Sequence, residues 1–308
     1  YTWFAVSHLL SEFRDQLEFL EKYGIAATSL DSSVTADEYQ SRLQQIRQGK
    51  IKILMVSVER FKNERFRRFI KDIPISMLVV DEAHCLSEWG HNFRPDYLKL
   101  PFYRHELQIP LVLLLTATST AKVKQDMAEK FNIKKEHIVQ TGFYRPNLNI
   151  DIKSVNEEDK NHILIETLKV QSGCGIIYVT QQQTTESLAH TLRQQGFNVV
   201  PYHAGMESEF RQQVQQDFMH NKVDLIVATI AFGMGIDKSD IRFVIHYDLP
   251  KSIESYSQEI GRAGRDGKKS NCILLNTSGN CHKTPRIDRA CISTTIVWHV
   301  QYPVTRLI

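Results

Sequence analysis

The sequence predicts an α/β protein of two lobes, each built on a parallel β-sheet. Two observations carry that prediction. Short β-branched runs bounded by polar stretches recur along the chain, and segments with apolar residues three and four apart alternate with them. This alternation is what βαβ units leave in a sequence, since their strands are buried on both faces. In chain order the runs are Ile51–Val56, Met77–Val80, Leu111–Leu115, Gly175–Val179, Val223–Ala228 and Arg242–Ile245. Helical spacing falls between them at Ser41–Gln48, Ala121–Phe131, Thr184–Gln195 and Ser208–Phe218. A polar, proline-containing passage from Tyr144 to Lys160 interrupts the pattern. It places a first lobe at residues 1–145, a linker at 146–160 and a second lobe at 161–276. Residues 277–308 show no periodicity and carry no assigned domain.

Bulk properties set outer limits. With 308 residues, 42% of them hydrophobic, the chain is long enough for two modest cores. A formal charge of +3 is too small to argue for or against a polyanionic partner. The five cysteines (Cys85, Cys174, Cys272, Cys281, Cys291) form no close pair, so reduced thiols are expected in place of a disulfide framework or a zinc site. No apolar run reaches the length that spans a bilayer, and no membrane is expected as partner. The chain opens at Tyr1 inside an apolar run, which reads as a fragment of a longer protein.

The chemistry concentrates at strand ends. In SMLVVDEAHCLSEW an apolar strand finishes in Asp81 and Glu82, at the edge where open α/β sheets place ligands. Phosphoryl transfer needs such a pair: one acid to hold a hydrated magnesium, here Asp81, and one to orient or deprotonate the attacking water, here Glu82. Taken alone, two acids capping a strand end would be as good an account. The following CLSEWGHNFRPDY packs Trp89, His91, Phe93 and Arg94 among glycine, asparagine and proline, a composition suited to stacking on unpaired bases more than to closing a core. In the second lobe, QEIGRAGRDG places Arg262 and Arg265 three residues apart, predicted on one face of a helix start, where they could stabilise charge on a γ-phosphate. Ala228, Thr229 and Ile230 precede a glycine-rich turn with Asp237 behind it, a surface fit to grip a phosphate backbone. The basic stretch Glu59–Asp72 is read differently: Phe66, Phe69 and Ile70 have helical spacing among interleaved acids, so it predicts a core-facing helix with a charged outer face.

Taken in order, DEAH, CLSEWGHNFRPDY, TATST at Thr116–Thr120, YHAGM at Tyr202–Met206, ATIAFGMGID and QEIGRAGRDG resemble the RecQ family of superfamily 2 DNA helicases over residues 1–275. The resemblance implies two RecA-like lobes with parallel sheets, the first incomplete, and an ATP-driven 3′ to 5′ motor on single-stranded and partly duplex DNA in repair, recombination and replication. It implies ATP and Mg2+ as cofactors, with Asp81 and Glu82 as the magnesium and water acids. His84, Gln258, Arg262 and Arg265 would complete the catalytic set, and Thr116, Thr118, Gly235 and Asp237 would join Asp81 and the two arginines around the nucleotide. Trp89, Phe93, Arg94, His203 and Thr229 would meet DNA. The sequence departs from the family pattern at His8 and Val58, where proline is usual. It also contains no G-x-x-x-x-G-K-[ST] phosphate loop, so the chain as it stands is expected to bind ATP weakly or not at all. That loop's strand is central in the family, and the first lobe is expected to be short of sheet with apolar surface exposed. No zinc module of the family is legible after residue 276, where Cys281, His282 and Cys291 lack zinc-finger spacing. Two rivals follow: a catalytically inactive remnant that binds single-stranded DNA, and an RNA-directed motor of the same superfamily, against which the CLSEWGHNFRPDY loop argues.

Overall fold

The computed structural model describes residues 2–7, 10–31, 34–88, 93–117, 119–141, 145–233, 236, 238–277 and 304–307. The chain divides into two compact units, residues 1–142 with 303–308, and residues 143–302. Each is an α/β lobe.

Lobe one runs β1 (Thr2–Ser7), α1 (Leu10–Lys22), β2 (Ala27–Ser29), α2 (Ala36–Arg47), β3 (Ile53–Ser57), α3 (Glu64–Lys71), β4 (Ile75–Val80), α4 (Leu100–Glu106), β5 (Leu111–Leu114), α5 (Ala121–Phe131) and β6 (Ile138–Thr141). Its sheet order is β2-β3-β1-β4-β5, continued by β13 (Val304–Leu307) and β6. Strands β1 to β5 pair in parallel, with Val6 beside both Val56 and Val80, and Val80 beside Leu114. Their carboxyl ends therefore form one edge, on which Ser7, Ser57 and Asp81 lie. Helix α2 begins where a capping box can form: Thr35 and Glu38 bond reciprocally across its first turn. Helix α3 is the core-facing helix expected from the basic stretch, with Phe66, Phe69 and Ile70 buried. The Phe61 ring meets Phe4 at 5.4 Å, Phe66 at 6.0 Å and Tyr103 at 4.7 Å. Burying each such ring is worth roughly 1.5–3 kcal/mol, which seats α3 and α4 against the sheet.

Lobe two runs β7 (Leu148–Val155), α6 (Lys160–Lys169), β8 (Gly175–Tyr178), α7 (Gln182–Gln194), β9 (Val199–Tyr202), α8 (Ser208–Met219), β10 (Leu225–Ala228), β11 (Phe243–His246), α9 (Ile253–Ile260) and β12 (Ser270–Thr277). The strands pair in parallel in the order β7-β12-β11-β8-β10-β9. Successive residues of one strand enter opposite cores: Ile176 and Tyr178 pack on one face, Ile177 and Val179 on the other. Burial of both faces is why these strands read as continuous apolar runs.

The passage expected to be a linker, 146–160, instead contributes the whole of β7 and the first residue of α6. Leu148, Ile150 and Ile152 lean on the core while Asn149 and Asp151 alternate with them, the period of a half-buried edge strand, and that polar half gave it a linker's composition. It pairs with β12 over eight residues, from Leu148 beside Ser270 to Val155 beside Thr277. The tail supplies β13, which stands antiparallel between β5 and β6 and brings the lobe-one sheet to seven strands, where fewer were expected. Apolar surface is nevertheless exposed on that lobe at Trp3, Phe19, Tyr23, Phe102 and Leu111. Among the described residues no helix is long and apolar enough to cross a membrane.

Candidate functional site

In lobe one, β4 delivers Asp81 and Glu82 to the carboxyl edge between β1 and β5. The Asp81 amide donates to the Val6 carbonyl at 2.9 Å, and its Oδ1 accepts the Glu82 amide at 2.8 Å. Glu82 adopts a left-handed backbone, φ +47°, a conformation that costs a non-glycine residue roughly 1–3 kcal/mol and concentrates where function requires it. The bend directs the chain into a short 3-10 turn, Ala83–Leu86, that is buried throughout. The His84 Nδ1 lies 3.0 Å from Thr116 Oγ1 and 3.2 Å from Glu82 Oε2. Acid, imidazole and hydroxyl thus form a continuous polar path from the end of β4 to Thr116, two residues past β5.

Burial first, and then the negative charge of Glu82, hold the Asp81 carboxyl above the usual carboxylate range. Two crowded acids suit a hydrated divalent cation shared with phosphate oxygens, the way magnesium is commonly held. Among the described residues no group of three or more His, Cys, Asp or Glu side chains could cage a metal by itself. Phe93 and Arg94 are half-buried, and the Arg94 amide donates to the Cys85 carbonyl at 3.0 Å, which ties Arg94 to the acid turn. Trp89 and Thr118 lie outside the described residues.

In lobe two the ends of β8, β10 and β9 are neighbours, since Ala228 pairs with both Tyr178 and Tyr202. That edge brings Thr229 and His203 together, with the Thr229 amide donating to the Tyr202 carbonyl at 3.2 Å. The buried His203 places Nε2 3.1 Å from Glu186 Oε1. Gly235 and Asp237 lie outside the described residues.

The arginines are not at a helix start. Helix α9 ends at Ile260, and Arg262 and Arg265 follow it in a run of turns, because Gly264 (φ +56°) and Gly267 (φ +80°) adopt left-handed conformations that end helical geometry. Gln258 sits half-buried in the last turn of α9, and Arg265 is exposed. The Arg262 guanidinium rests on Gly233: its Nη1 donates to the Gly233 carbonyl, and a Cβ on Gly233 (φ +121°) would lie 2.4 Å from Arg262 Cζ.

Sequence reasoning missed the groups that hold this end of lobe two in place. His246 Nε2 meets Glu259 Oε2 at 2.6 Å, both buried, and the imidazole stacks on Tyr178 at 5.4 Å. Lys160, 2% exposed, pairs with Asp248 at 3.1 Å, and Asp248 in turn accepts from the Thr180 amide at 2.9 Å. Arg145 and Asn147 donate to main-chain carbonyls between Gly261 and Lys268. Only the polarity of Arg145 and Asn147 ahead of an alternating strand could have signalled them.

The DEAD/DEAH box helicase family matches residues 7–127, and the helicase conserved C-terminal domain matches residues 159–267. The chain is 38% identical over 276 residues to the ATP-dependent DNA helicase RecQ of Bacillus subtilis, covering 89% of this chain and 46% of that protein. It is 40% identical over 272 residues to the ATP-dependent DNA helicase RecQ of Haemophilus influenzae, covering 88% of this chain and 44% of that protein. The chain therefore spans about half the length of the curated relatives it matches. Among solved structures, S. cerevisiae Dbp5 bound to RNA and ADP BeF3 superposes with a TM-score of 0.63 at 20% identity, covering 97% of this chain and 81% of that one. At that identity the likeness is one of fold.

Proposed function

The chain contains a RecQ-like core of the superfamily 2 helicases, and from that premise we propose that it is the incomplete core of a motor which, once supplied with a phosphate-binding loop, hydrolyses ATP to drive 3′ to 5′ unwinding of DNA in repair, recombination and replication. The observation that carries the proposal is the polar path at the end of β4: Asp81 and Glu82 side by side, with His84 reaching from Glu82 to Thr116.

In this reading Asp81 holds Mg2+ through water, where the ion would neutralise phosphate oxygens. Glu82 orients the attacking water and accepts its proton, with His84 Nδ1 3.2 Å from its Oε2. The same imidazole touches Thr116, so a change at Glu82 is felt at the end of β5. Gln258, Arg262 and Arg265 offer donors and positive charge to the γ-phosphate as negative charge develops on it. Gly235, Asp237 and Thr118 belong to the same nucleotide set by resemblance. Thr229 and His203, at the ends of β10 and β9, contact the sugar-phosphate backbone, which fixes register without reading sequence. Trp89, Phe93 and Arg94 stack on or pair with unpaired nucleotides, and because the Arg94 backbone is bonded to Cys85, strand binding pulls on the acid turn.

The test is ATP hydrolysis by the intact protein with single-stranded DNA or RNA of matched sequence as activator, followed by unwinding of duplexes bearing 3′ or 5′ single-stranded tails. DNA is expected to stimulate hydrolysis more than RNA, and only 3′-tailed duplexes should open. Stronger activation by RNA, or opening of 5′-tailed duplexes alone, rejects the DNA-directed 3′ to 5′ reading. Strand binding without hydrolysis would leave a non-catalytic binder.

A further inference from the structure

We propose that Arg145 and Asn147 are the positioning residues of the arginine segment, tying the stretch of chain that enters lobe two to Arg262 and Arg265. The proposal rests on the reading above, in which those arginines face the triphosphate.

Past α9 the chain from Gly261 to Lys268 runs through turns, so its carbonyls belong to no helix or sheet ladder that would fix them. They are fixed by two side chains more than a hundred residues earlier. Arg145 Nη1 donates to the Gly261 carbonyl at 3.4 Å, and Nη2 to the carbonyls of Ala263 at 3.0 Å and Gly264 at 2.6 Å. Asn147 Nδ2 donates to Gly264 at 2.8 Å and to Lys268 at 2.9 Å, while the Asn147 carbonyl accepts the Ser270 amide at 2.9 Å. Arg145 Nε also donates to Asn147 Oδ1 at 3.4 Å, so the two act as one clamp.

The gripped carbonyls bracket both arginines: Gly261 and Ala263 flank Arg262, while Gly264 and Lys268 enclose Arg265. Only a planar guanidinium has several donors in a fixed fork that can span three carbonyls in succession; a lysine ammonium reaches one or two. The backbone is shaped to match. A Cβ at Gly264 would stand 2.5 Å from Asn147 Nδ2 and 2.7 Å from the Lys268 carbonyl oxygen, so this glycine makes room for the clamp.

The location of the clamp gives it a consequence beyond stability. The second unit begins at residue 143, which makes Arg145 part of the stretch through which lobe two receives its chain. The side-chain donors of Arg145 and Asn147 are taken up within the protein, chiefly by carbonyls of the segment, and in this proposal the two residues act through it.

The segment's amides provide the readout, since those of Arg262, Ala263, Gly264 and Asp266 are each hydrogen bonded and their exchange reports opening. The intact protein is compared with Arg145→Ala, Arg145→Lys and Asn147→Ala by amide hydrogen exchange and by kcat and KM for ATP with single-stranded DNA. In Arg145→Ala, exchange across 261–268 is expected to rise about tenfold, with β8 and β10 unchanged. Its kcat should fall by about tenfold to a hundredfold, as for a misplaced catalytic group, at nearly constant KM. Arg145→Lys should fall between wild type and Arg145→Ala in both. Unchanged exchange in the segment overturns the proposal, as does faster exchange with unaltered kcat, or a rise spread evenly over lobe two that marks general loosening. Should Arg145→Ala not fold, Arg145→Lys and Asn147→Ala decide by the same comparison. If the unmodified protein hydrolyses no ATP, the functional reading fails, whereas exchange still decides whether the clamp holds the segment.

Discussion

Replacing Gly233 by alanine is expected to disable the motor out of proportion to its effect on stability. Gly233 has φ +121°, a region open essentially to glycine alone, and an added Cβ would lie 2.4 Å from both Cζ and Nε of Arg262. The backbone strain costs roughly 1–3 kcal/mol, which for a domain of this size lowers Tm by roughly 2–12 °C. To reach ordinary contact near 3.5 Å the guanidinium must retreat by about 1 Å, and a displacement of that size at a catalytic group costs about a hundredfold in rate. Gly267→Ala is the matched control. Gly267 is also left-handed, at φ +80°, but a Cβ there meets nothing within 4 Å. Both variants should lose stability in a melting experiment, and only Gly233→Ala should lose about two orders of magnitude in DNA-stimulated kcat. Equal kcat in the two variants would refute the argument that Gly233 sets the place of Arg262.

Three further outcomes are expected. With a phosphate-binding loop supplied, Glu82→Gln should lower turnover by roughly a hundredfold to ten-thousandfold while nucleotide binding survives, measured by hydrolysis and by nucleotide titration; persistent hydrolysis would move the water-activating role elsewhere. Arg94→Ala should reduce stimulation by DNA about tenfold, the worth of one lost base or phosphate contact, and leave basal hydrolysis near wild type; an equal loss of both would refute a coupling role. Burial pushes the Cys85 and Cys272 thiols up to about 12, so alkylation at pH 8 should spare both in the folded protein and modify both after denaturation. The sign for stability follows: above the ordinary thiol value of 9.0 the unfolded chain loses protons that the fold retains, so stability is full below that pH and declines as pH rises toward 12. Rapid labelling of native Cys85 at pH 8 would contradict its burial.

What the sequence determined was set by short-range physics. Strands buried on both faces must be apolar throughout, so Gly175–Tyr178 and Leu225–Ala228 announce themselves, and an amphipathic run such as Ala121–Phe131 has one sensible conformation. The acid pair was legible because an apolar strand stops at Asp81. Where local composition pointed one way and distant partners the other, only the tertiary structure decided. Leu148–Val155 is polar enough to pass for a linker until β12 supplies its hydrogen bonds. Arg262 and Arg265 have helical spacing, yet Gly264 and the clamp from Arg145 hold them in turns. His246 and Glu259 are thirteen residues apart and unremarkable in sequence, and become a buried pair because α9 folds back over β11. Periodicity reports which face of an element is buried; it carries no information on which distant side chain will satisfy a carbonyl, and in lobe two that is what positions the arginines.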